Sequence, residues 1–171
     1  MTKITTVILA AGKSTRFKGP QNKLLHNLAG LPVISHVVNV AKNISGKEVI
    51  IVCNKNNIKD LRLLLNDCKF VIQRKQNGTA DAINVARPFI KNKYLLVLFG
   101  DAPLISNSSI KKLINNFKKN KNLASMIAFN ALNPQGYGRV KTKKNKVLSV
   151  VEELFASKKE KEIKLCNSGV M

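Results

Sequence analysis

The chain has few of the residues on which several common kinds of site depend. Its three cysteines, Cys53, Cys68 and Cys166, are widely spaced and form no CxxC pair or Cys/His cluster. That spacing argues against a zinc site and against a disulfide framework. We therefore expect buried free thiols, as in proteins of the reducing cytosol.

Long apolar runs are also missing. Nowhere do 18 apolar residues follow one another, and a strand-like run begins almost at the N-terminus, where a leader would have a charged and then an apolar region. This pattern excludes a transmembrane helix. We expect a cytoplasmic protein with no membrane partner.

Acidic residues are scarce, since nine Asp and Glu stand against 30 Lys and Arg and the formal charge is +21. Such a charge suggests a nucleic-acid partner. However, the lysines are spread over nearly every segment, arginine is scarce, and only seven Phe and two Tyr are available for stacking. We therefore expect no nucleic-acid partner and interpret the charge as attracting small anionic substrates.

Strand and helix patterns alternate along most of the chain. The predicted strands are Ile4–Leu9, Glu48–Cys53, Lys69–Ile72, Tyr94–Phe99 and Leu123–Phe129. The predicted helices are Pro32–Asn43, Ile58–Asn66, Thr79–Ile90 and Ser108–Lys119. This alternation predicts an α/β fold with a doubly wound, mainly parallel sheet that is covered on both faces.

After about Asn130 the pattern becomes β-rich. A turn-rich loop precedes two short predicted strands, Arg139–Thr142 and Lys146–Val151, which are joined as a hairpin, and Ser157–Lys164 is a charged segment with at most a helical turn. The last apolar stretch stops at Met171, so we expect an incomplete sheet. A chain of 171 residues fits one domain, residues 1–171.

The turn after the first predicted strand consists of small and basic residues. Leu9, Ala10, Ala11 and Gly12 lead into a segment that contains Lys13 and Arg16. Small side chains let a phosphate approach the backbone, and consecutive N–H groups can bind an anion. We interpret the turn as a triphosphate-binding loop. The alternative is an ordinary glycine-containing turn with solvated charges.

Asp101 follows the most apolar predicted strand, directly after Gly100. A carboxylate at this position is typical of a ligand for a divalent metal ion, with Gly100 leaving room for a ligand beside it. The alternative is the turn or N-cap role that aspartate often has.

Three further residues are candidates for substrate contacts. The Gln73 amide carries both a donor and an acceptor, which match the edge of a pyrimidine base. Gly78 and Thr79 could contact the same base, or could simply begin the next helix. Lys23 lies just beyond the glycine loop, where it could neutralise an α-phosphate.

These motifs together resemble the sugar-phosphate nucleotidyltransferases, and among them the uridylyltransferase domain of the bacterial bifunctional N-acetylglucosamine-1-phosphate uridylyltransferase/glucosamine-1-phosphate acetyltransferases. The resemblance covers nearly the whole chain. The segments that carry it are residues 9–16, 71–82, 99–104, 136–139, 151–153 and 167–170. It implies a Rossmann-like fold and the joining of UTP to N-acetylglucosamine 1-phosphate, which forms UDP-N-acetylglucosamine for cell-envelope polysaccharides and releases pyrophosphate.

The resemblance also implies roles for individual residues. Arg16 and Lys23 would bind phosphates, Gln73 with Gly78 would bind uracil, and Asp101 would bind Mg²⁺. The other implied substrate-binding residues are Leu9, Ala10, Ala11, Gly12, Thr79 and Phe99, together with Gly138, Glu152 and Asn167 for the sugar. The resemblance further implies that full-length members are homo-oligomers, and it leaves the oligomeric state of this chain open.

The chain departs from the family pattern in three places. Ser14 replaces the usual glycine, and the segment between Arg16 and Lys23 is about one residue longer than usual. The chain also stops before the end of the family's domain, its second metal-binding residue and its β-helical acetyltransferase domain. The alternatives are a cytidylyltransferase or thymidylyltransferase, or a fragment that binds nucleotide sugars without turnover.

Overall fold

The computed structural model describes residues 3–12, 22–144 and 146–171. The chain divides into two compact units, residues 1–112 and residues 113–171, and the boundary falls inside a helix. The single nucleotidyltransferase domain expected over residues 1–171 stays a prediction.

The first unit alternates strands and helices in the predicted order. Its elements are β1 (Ile4–Leu9), β2 (Asn27–Leu28), β3 (Leu31–Pro32), α1 (Val33–Ser45), β4 (Val49–Cys53), α2 (Ile58–Leu64), β5 (Lys69–Ile72), α3 (Thr79–Ala86), β6 (Tyr94–Phe99) and α4 (Asn107–Lys119), which continues into the second unit. Single turns of 3₁₀ helix cover Lys23–Leu25 and Arg87–Phe89.

The main sheet of this unit is wholly parallel, with the strand order β5-β4-β1-β6. The chain first builds outward from β1 through β4 to β5 and then returns to the other side of β1 with β6. The order therefore reverses between β1 and β6, which is where open α/β sheets form a ligand crevice. The predicted parallel α/β sheet is confirmed.

Both faces of this sheet are covered. Val7 and Ile8 point to opposite faces because successive strand residues alternate, and neither has any exposed surface. Ala82 and Ala86 of α3 pack in one cluster with Val7. The predicted helix Thr79–Ile90 is too long, because α3 ends at Ala86, and Pro88 has no N–H to continue the α-helical hydrogen bonds.

The strand register aligns the ends of the strands. Leu9 pairs with Val52 of β4 on one side and with Phe99 of β6 on the other, and Val52 pairs with Val71 of β5. The residues that follow β1, β5 and β6 therefore emerge at the same edge of the sheet.

The second unit is built on an antiparallel sheet. Its remaining elements are β7 (Ile127–Asn130), β8 (Arg139–Lys143), β9 (Lys146–Val151), a 3₁₀ turn (Glu153–Phe155), α5 (Lys158–Lys161) and β10 (Leu165–Val170). The strand order is β7-β10-β8-β9, and the predicted hairpin is present as β8 and β9.

The predicted strand Leu123–Phe129 begins too early. The pairing with β10 starts only at Ile127, which lies opposite Val170, and the Leu123 side chain is fully exposed. Without a neighbouring strand, the apolar residues before Ile127 have no ladder of hydrogen bonds to join.

The cysteines are free thiols, and two of them are buried. Burial raises the pKa of Cys53, the last residue of the interior strand β4, to about 11. The expected burial is wrong for Cys68, which is only partly covered just before the edge strand β5. In the described part of the chain, no helix combines the length and apolar character that a membrane span requires.

Candidate active site

A cavity of about 350 Å³ lies where the strands β1 and β6 end. Nine residues singled out from the sequence line it: Leu9, Ala10, Ala11, Gly12, Gln73, Gly78, Thr79, Phe99 and Asp101. They come from three separate segments of the chain, and the common register of the parallel strands brings them together.

The turn after β1 is held by amide side chains from neighbouring loops. Asn57, which is almost wholly buried, donates to the carbonyl oxygen of Ala10 at 2.8 Å. The side-chain amides of Asn54 and Gln76 both donate to the carbonyl oxygen of Ala11, each at 3.0 Å. These three donors determine how the first two peptide groups of the turn are oriented.

The orientation of these carbonyls also determines where the N–H groups of the turn point. In a planar trans peptide the C=O and the following N–H point in opposite directions, so the N–H of Gly12 points away from the donors to Ala11. Among the described residues, a Cβ atom added to Gly12 would meet no atom within 4 Å. The described part of the turn therefore leaves space beside Gly12 and presents a backbone donor in a fixed orientation, as a phosphate contact requires.

Gln73 extends from the end of β5 into the cavity wall and is only 4% exposed. Its backbone N–H donates to Cys53 at the end of β4, at 2.8 Å. Its side-chain Nε2 donates to Asp81 Oδ2 at 2.7 Å and to the Gly78 carbonyl oxygen at 3.2 Å. Thr79, which lines the same cavity, is the first residue of α3.

Asp101 and Lys23 form an ion pair at the end of β6. Lys23 Nζ lies 2.8 Å from Asp101 Oδ2, and both side chains are more than two-fifths exposed. The N-cap alternative for Asp101 is not what the structure shows, because α4 begins at Asn107 and the hydroxyl of Ser106 accepts from the N–H of Ser109. Asp101 thus offers an accessible carboxylate at the cavity.

Gly100 has a different role from the one that the sequence predicts. A Cβ atom added there would lie 3.1 Å from the carbonyl oxygen of Leu9 and 3.6 Å from the Cβ of Ala10. The N–H of Gly100 also donates to Leu9, at 2.9 Å. The space beside Gly100 is therefore filled by protein, and the glycine lets β6 approach β1 closely.

Arg16 and Ser14 lie outside the described residues, as does Lys13. The phosphate-binding role of Arg16 and the tolerance of a side chain at Ser14 stay predictions.

The three residues implied for the sugar come together within the second unit. The N–H of Asn167 donates to the carbonyl oxygen of Gly138 at 2.8 Å. A Cβ atom added to Gly138 would lie 3.0 Å from Glu152 Oε1, so the carboxylate lies close against this glycine. The backbone of Asn167 and the carboxylate of Glu152 therefore both lie against Gly138, while the Asn167 side-chain oxygen accepts from the N–H of Gly169 at 2.9 Å. A carboxylate and an amide are suited to the hydroxyl and N-acetyl groups of a sugar.

An ion pair between Arg139 and Glu153 lies next to two of these three residues in the sequence and stabilises the segments that carry them. The Arg139 side chain is 1% exposed, and its guanidinium lies 2.7 Å from Glu153 Oε2. It also donates to the carbonyl oxygens of Tyr137 and Lys161, while Glu153 accepts from the N–H of Gly136 at 3.2 Å. The guanidinium beside Glu153 holds the pKa of that carboxyl below its ordinary value. These contacts connect the loop before β8 to Glu153, the residue that follows Glu152.

Three residues that orient the site were not singled out from the sequence. Asn57 was not proposed, and Gln76 and Asp81 were included only as members of the segment 71–82, although each hydrogen-bonds to a cavity residue. One signal was present, because Asn54 and Asn57 directly follow β4, the neighbour of β1 in a sheet of this order. Loops that follow adjacent parallel strands lie side by side, so asparagines there could be expected to contact the β1 turn.

Comparison with known proteins places the chain in a family. Residues 6–163 match the model of the MobA-like NTP transferase domain. The chain is 42% identical over 170 residues to the bifunctional protein GlmU of Buchnera aphidicola subsp. Schizaphis graminum (strain Sg), covering 98% of this chain and 36% of that protein. GlmU of Buchnera aphidicola subsp. Acyrthosiphon pisum (strain Tuc7) is 41% identical, again over 98% of the chain and 37% of the relative. The chain thus spans little more than a third of the length of these curated relatives.

Solved structures share the fold. A Bacillus anthracis protein, named as a glucose-1-phosphate thymidylyltransferase and solved with sucrose, superposes with a TM-score of 0.78 at 22% identity, over 98% of this chain and 70% of that one. A CMP:2-keto-3-deoxy-manno-octonic acid synthetase complexed with CTP superposes with a TM-score of 0.70 at 18% identity, over 99% of this chain and 73% of that one. The resemblance that the motifs indicate is confirmed: the chain belongs to the family of MobA-like NTP transferase domains.

Proposed function

We propose that the chain transfers UMP from UTP to N-acetylglucosamine 1-phosphate, forming UDP-N-acetylglucosamine and pyrophosphate. The observation that carries this proposal is the cavity of the first unit, which brings together the β1 turn, Gln73 and Asp101. A phosphate-binding turn, a base-reading amide and a carboxylate for a metal ion are the parts that a nucleotidyltransferase needs. The similarity to GlmU proteins supports UTP and an amino-sugar phosphate as the substrates.

The chemistry needs no side-chain base. A phosphate oxygen of the sugar phosphate is already anionic, and it forms the new bond to the α-phosphorus of UTP. The bond from that phosphorus to the bridging oxygen of the β-phosphate breaks, and pyrophosphate leaves with the electron pair. Catalysis then depends on alignment of the two substrates and on stabilisation of negative charge.

Different residues would bind the phosphates, the base and the sugar. The N–H groups of the β1 turn, Arg16 and Lys23 would bind the phosphates, and Lys23 reaches the cavity through its contact with Asp101. Gln73, Gly78 and Thr79 would bind the base. In the second unit, Glu152 and Asn167 would bind the sugar beside Gly138.

The residues at the end of β6 fit Mg²⁺. Asp101 supplies one exposed carboxylate, and Mg²⁺ is usually held by one or two carboxylates together with substrate phosphates and water. Throughout residues 3–12, 22–144 and 146–171, no group of three or more His, Cys, Asp or Glu could hold a metal ion by itself. The nucleotide phosphates would thus complete the site, where the ion would neutralise triphosphate charge.

We also propose that the chain works in the cytoplasm. Its thiols are free, and free thiols persist where the surroundings are reducing.

Incubation of the chain with UTP, N-acetylglucosamine 1-phosphate and Mg²⁺ tests the proposal. We expect release of pyrophosphate in equal amount with UDP-N-acetylglucosamine, and more slowly with glucose 1-phosphate. Calorimetric binding of UDP-N-acetylglucosamine without turnover would instead support a chain that only binds nucleotide sugars. The proposal would be overturned if the chain showed no turnover and no binding with any of UTP, CTP and dTTP.

A further inference from the structure

We propose that Asp81 determines the base specificity of the cavity by holding the Gln73 amide in one orientation, so that an oxygen atom meets the base. The inference rests on the proposed function, since it assumes that the cavity binds a pyrimidine nucleotide. It concerns a residue in the first turn of α3, away from the strand ends in the sequence.

The hydrogen bonds of Gln73 leave only one orientation of its amide. Its two contacts on one side, Asp81 Oδ2 at 2.7 Å and the Gly78 carbonyl oxygen at 3.2 Å, are to groups that accept hydrogen bonds. The carboxylate and the carbonyl have no hydrogen to donate, so the NH₂ group must face them. A reversed amide would set oxygen against oxygen, and Gln73 is too deeply buried for water to compensate.

In this orientation the NH₂ group of Gln73 is hydrogen-bonded within the protein, and the side-chain oxygen Oε1 stays available to a ligand. Both N–H groups have partners within the protein, whereas Oε1 has no hydrogen bond with any residue that the structure describes. Gln73 lines the cavity, so Oε1 is the atom of this amide that is left for a ligand.

An acceptor at this position distinguishes the pyrimidines. Uracil and thymine carry an N3–H group that can donate to Oε1, whereas N3 of cytosine has a lone pair and would face Oε1 without a hydrogen. A site built to accept a hydrogen bond rejects an analogue that cannot donate one. The geometry therefore favours UTP and dTTP over CTP.

Asp81 could also be present only because a carboxylate in the first turn stabilises the start of α3. That role would require negative charge but would not require contact with Gln73. The two roles differ in their consequences, because loss of a helix contact lowers stability for every ligand, whereas release of Gln73 changes the preference between bases.

The experiment compares UTP, dTTP and CTP binding to the full chain by calorimetry with Mg²⁺ present. For the wild type we expect UTP and dTTP to bind on the order of 10- to 100-fold more tightly than CTP. In Asp81→Asn the new amide can donate to Gln73 as well as accept from it, so Gln73 can turn its NH₂ toward cytosine. We expect the ratio of CTP to UTP dissociation constants to fall by about fivefold or more.

Asp60→Asn is the matched control, because it makes the same change in the first turn of α2, on an exposed side chain. It should leave the ratio unchanged. Asp81→Ala is a second variant, which removes the contact without offering a new one and should also lower the ratio. Thermal melting checks that each variant is folded.

The outcomes separate the two proposals. If the wild type prefers UTP and both Asp81 variants keep that preference, or if the wild type binds CTP as well as UTP, the role of Asp81 is overturned while nucleotide binding stands. If the wild type binds none of the three nucleotides, the proposed function fails, and the role of Asp81 fails with it.

Discussion

Lys23 and Asp101 are 78 positions apart in the chain, yet their side chains meet at 2.8 Å beside the cavity. One was proposed from the sequence as a phosphate ligand and the other as a metal ligand. In the structure each neutralises the other. When a Mg²⁺–nucleotide complex binds, Asp101 can contact the metal ion and Lys23 can contact a phosphate. Binding would then replace the one ion pair by two contacts between opposite charges.

Asp101→Asn should lower the rate of pyrophosphate release on the order of 100-fold or more, because the amide cannot hold the metal ion as a carboxylate does. Stability should hardly change. The Lys23–Asp101 pair is exposed, and exposed pairs contribute less than about 1 kcal/mol to the free energy of unfolding. Steady-state kinetics and thermal melting on the same preparation check both expectations.

The control for Asp101 is Asp67→Asn. Asp67 forms a similar exposed ion pair with Lys42 at 2.5 Å, but it precedes β5 and so lies away from the strand ends that form the cavity. Its replacement should leave the rate unchanged. Equal loss of activity in the two variants would contradict the metal-binding role of Asp101.

Asn57→Ala should lower the free energy of unfolding by about 1–3 kcal/mol, because the buried carbonyl of Ala10 loses its donor and the N–H of Asn54 loses its acceptor. Urea denaturation measures the change. Asn56→Ala, at an exposed neighbour, should cost less than about 0.5 kcal/mol. If the two variants were equally stable, the amide contacts would not be what holds the β1 turn.

Gly138→Ala should raise the KM for N-acetylglucosamine 1-phosphate about tenfold or more and leave the KM for UTP unchanged. The added methyl would lie 3.0 Å from Glu152 Oε1 and 3.2 Å from the Val150 side chain, so the carboxylate has to move. A similar rise in both KM values would indicate general damage to the fold instead of a change in sugar binding.

Glu160→Gln should remove part of the acid sensitivity of the chain. The Lys141 ammonium, followed by the Ser157 backbone and hydroxyl, lowers the pKa of Glu160 from 4.5 to about 2. A carboxyl with a lowered pKa in the folded state stabilises the fold above its unfolded value of 4.5, and that stabilisation is lost as the pH falls toward about 2.

Melting temperatures between pH 7 and pH 2 test this expectation. The wild type should melt above Glu160→Gln at pH 7, and the difference should shrink as the pH falls through this window. Glu162→Gln, two residues away, controls for the loss of one acidic residue. A difference between wild type and Glu160→Gln that is as large at pH 2 as at pH 7 would contradict the role of the Lys141 contact.

The sequence alone determined the order of the elements and several of their limits. Apolar runs bounded by turn residues predicted β1, β5, β6 and β9 at the positions where the structure has them. Parallel strands of similar length then required that the residues after them share one edge, which is why Gly12, Gln73 and Asp101 meet at one cavity. Hydrophobic periodicity and turn chemistry are local properties, so they can be read along the chain.

Tertiary structure alone decided the contacts that orient these residues. Asn57 holds the Ala10 carbonyl from 47 positions away, Asp81 turns the Gln73 amide, and protein atoms fill the space beside Gly100. None of these follows from local pattern, because each depends on the order of strands in the sheet and on side-chain directions that packing sets. The strand pattern determined where a nucleotide site could be, and packing decided which atoms it presents.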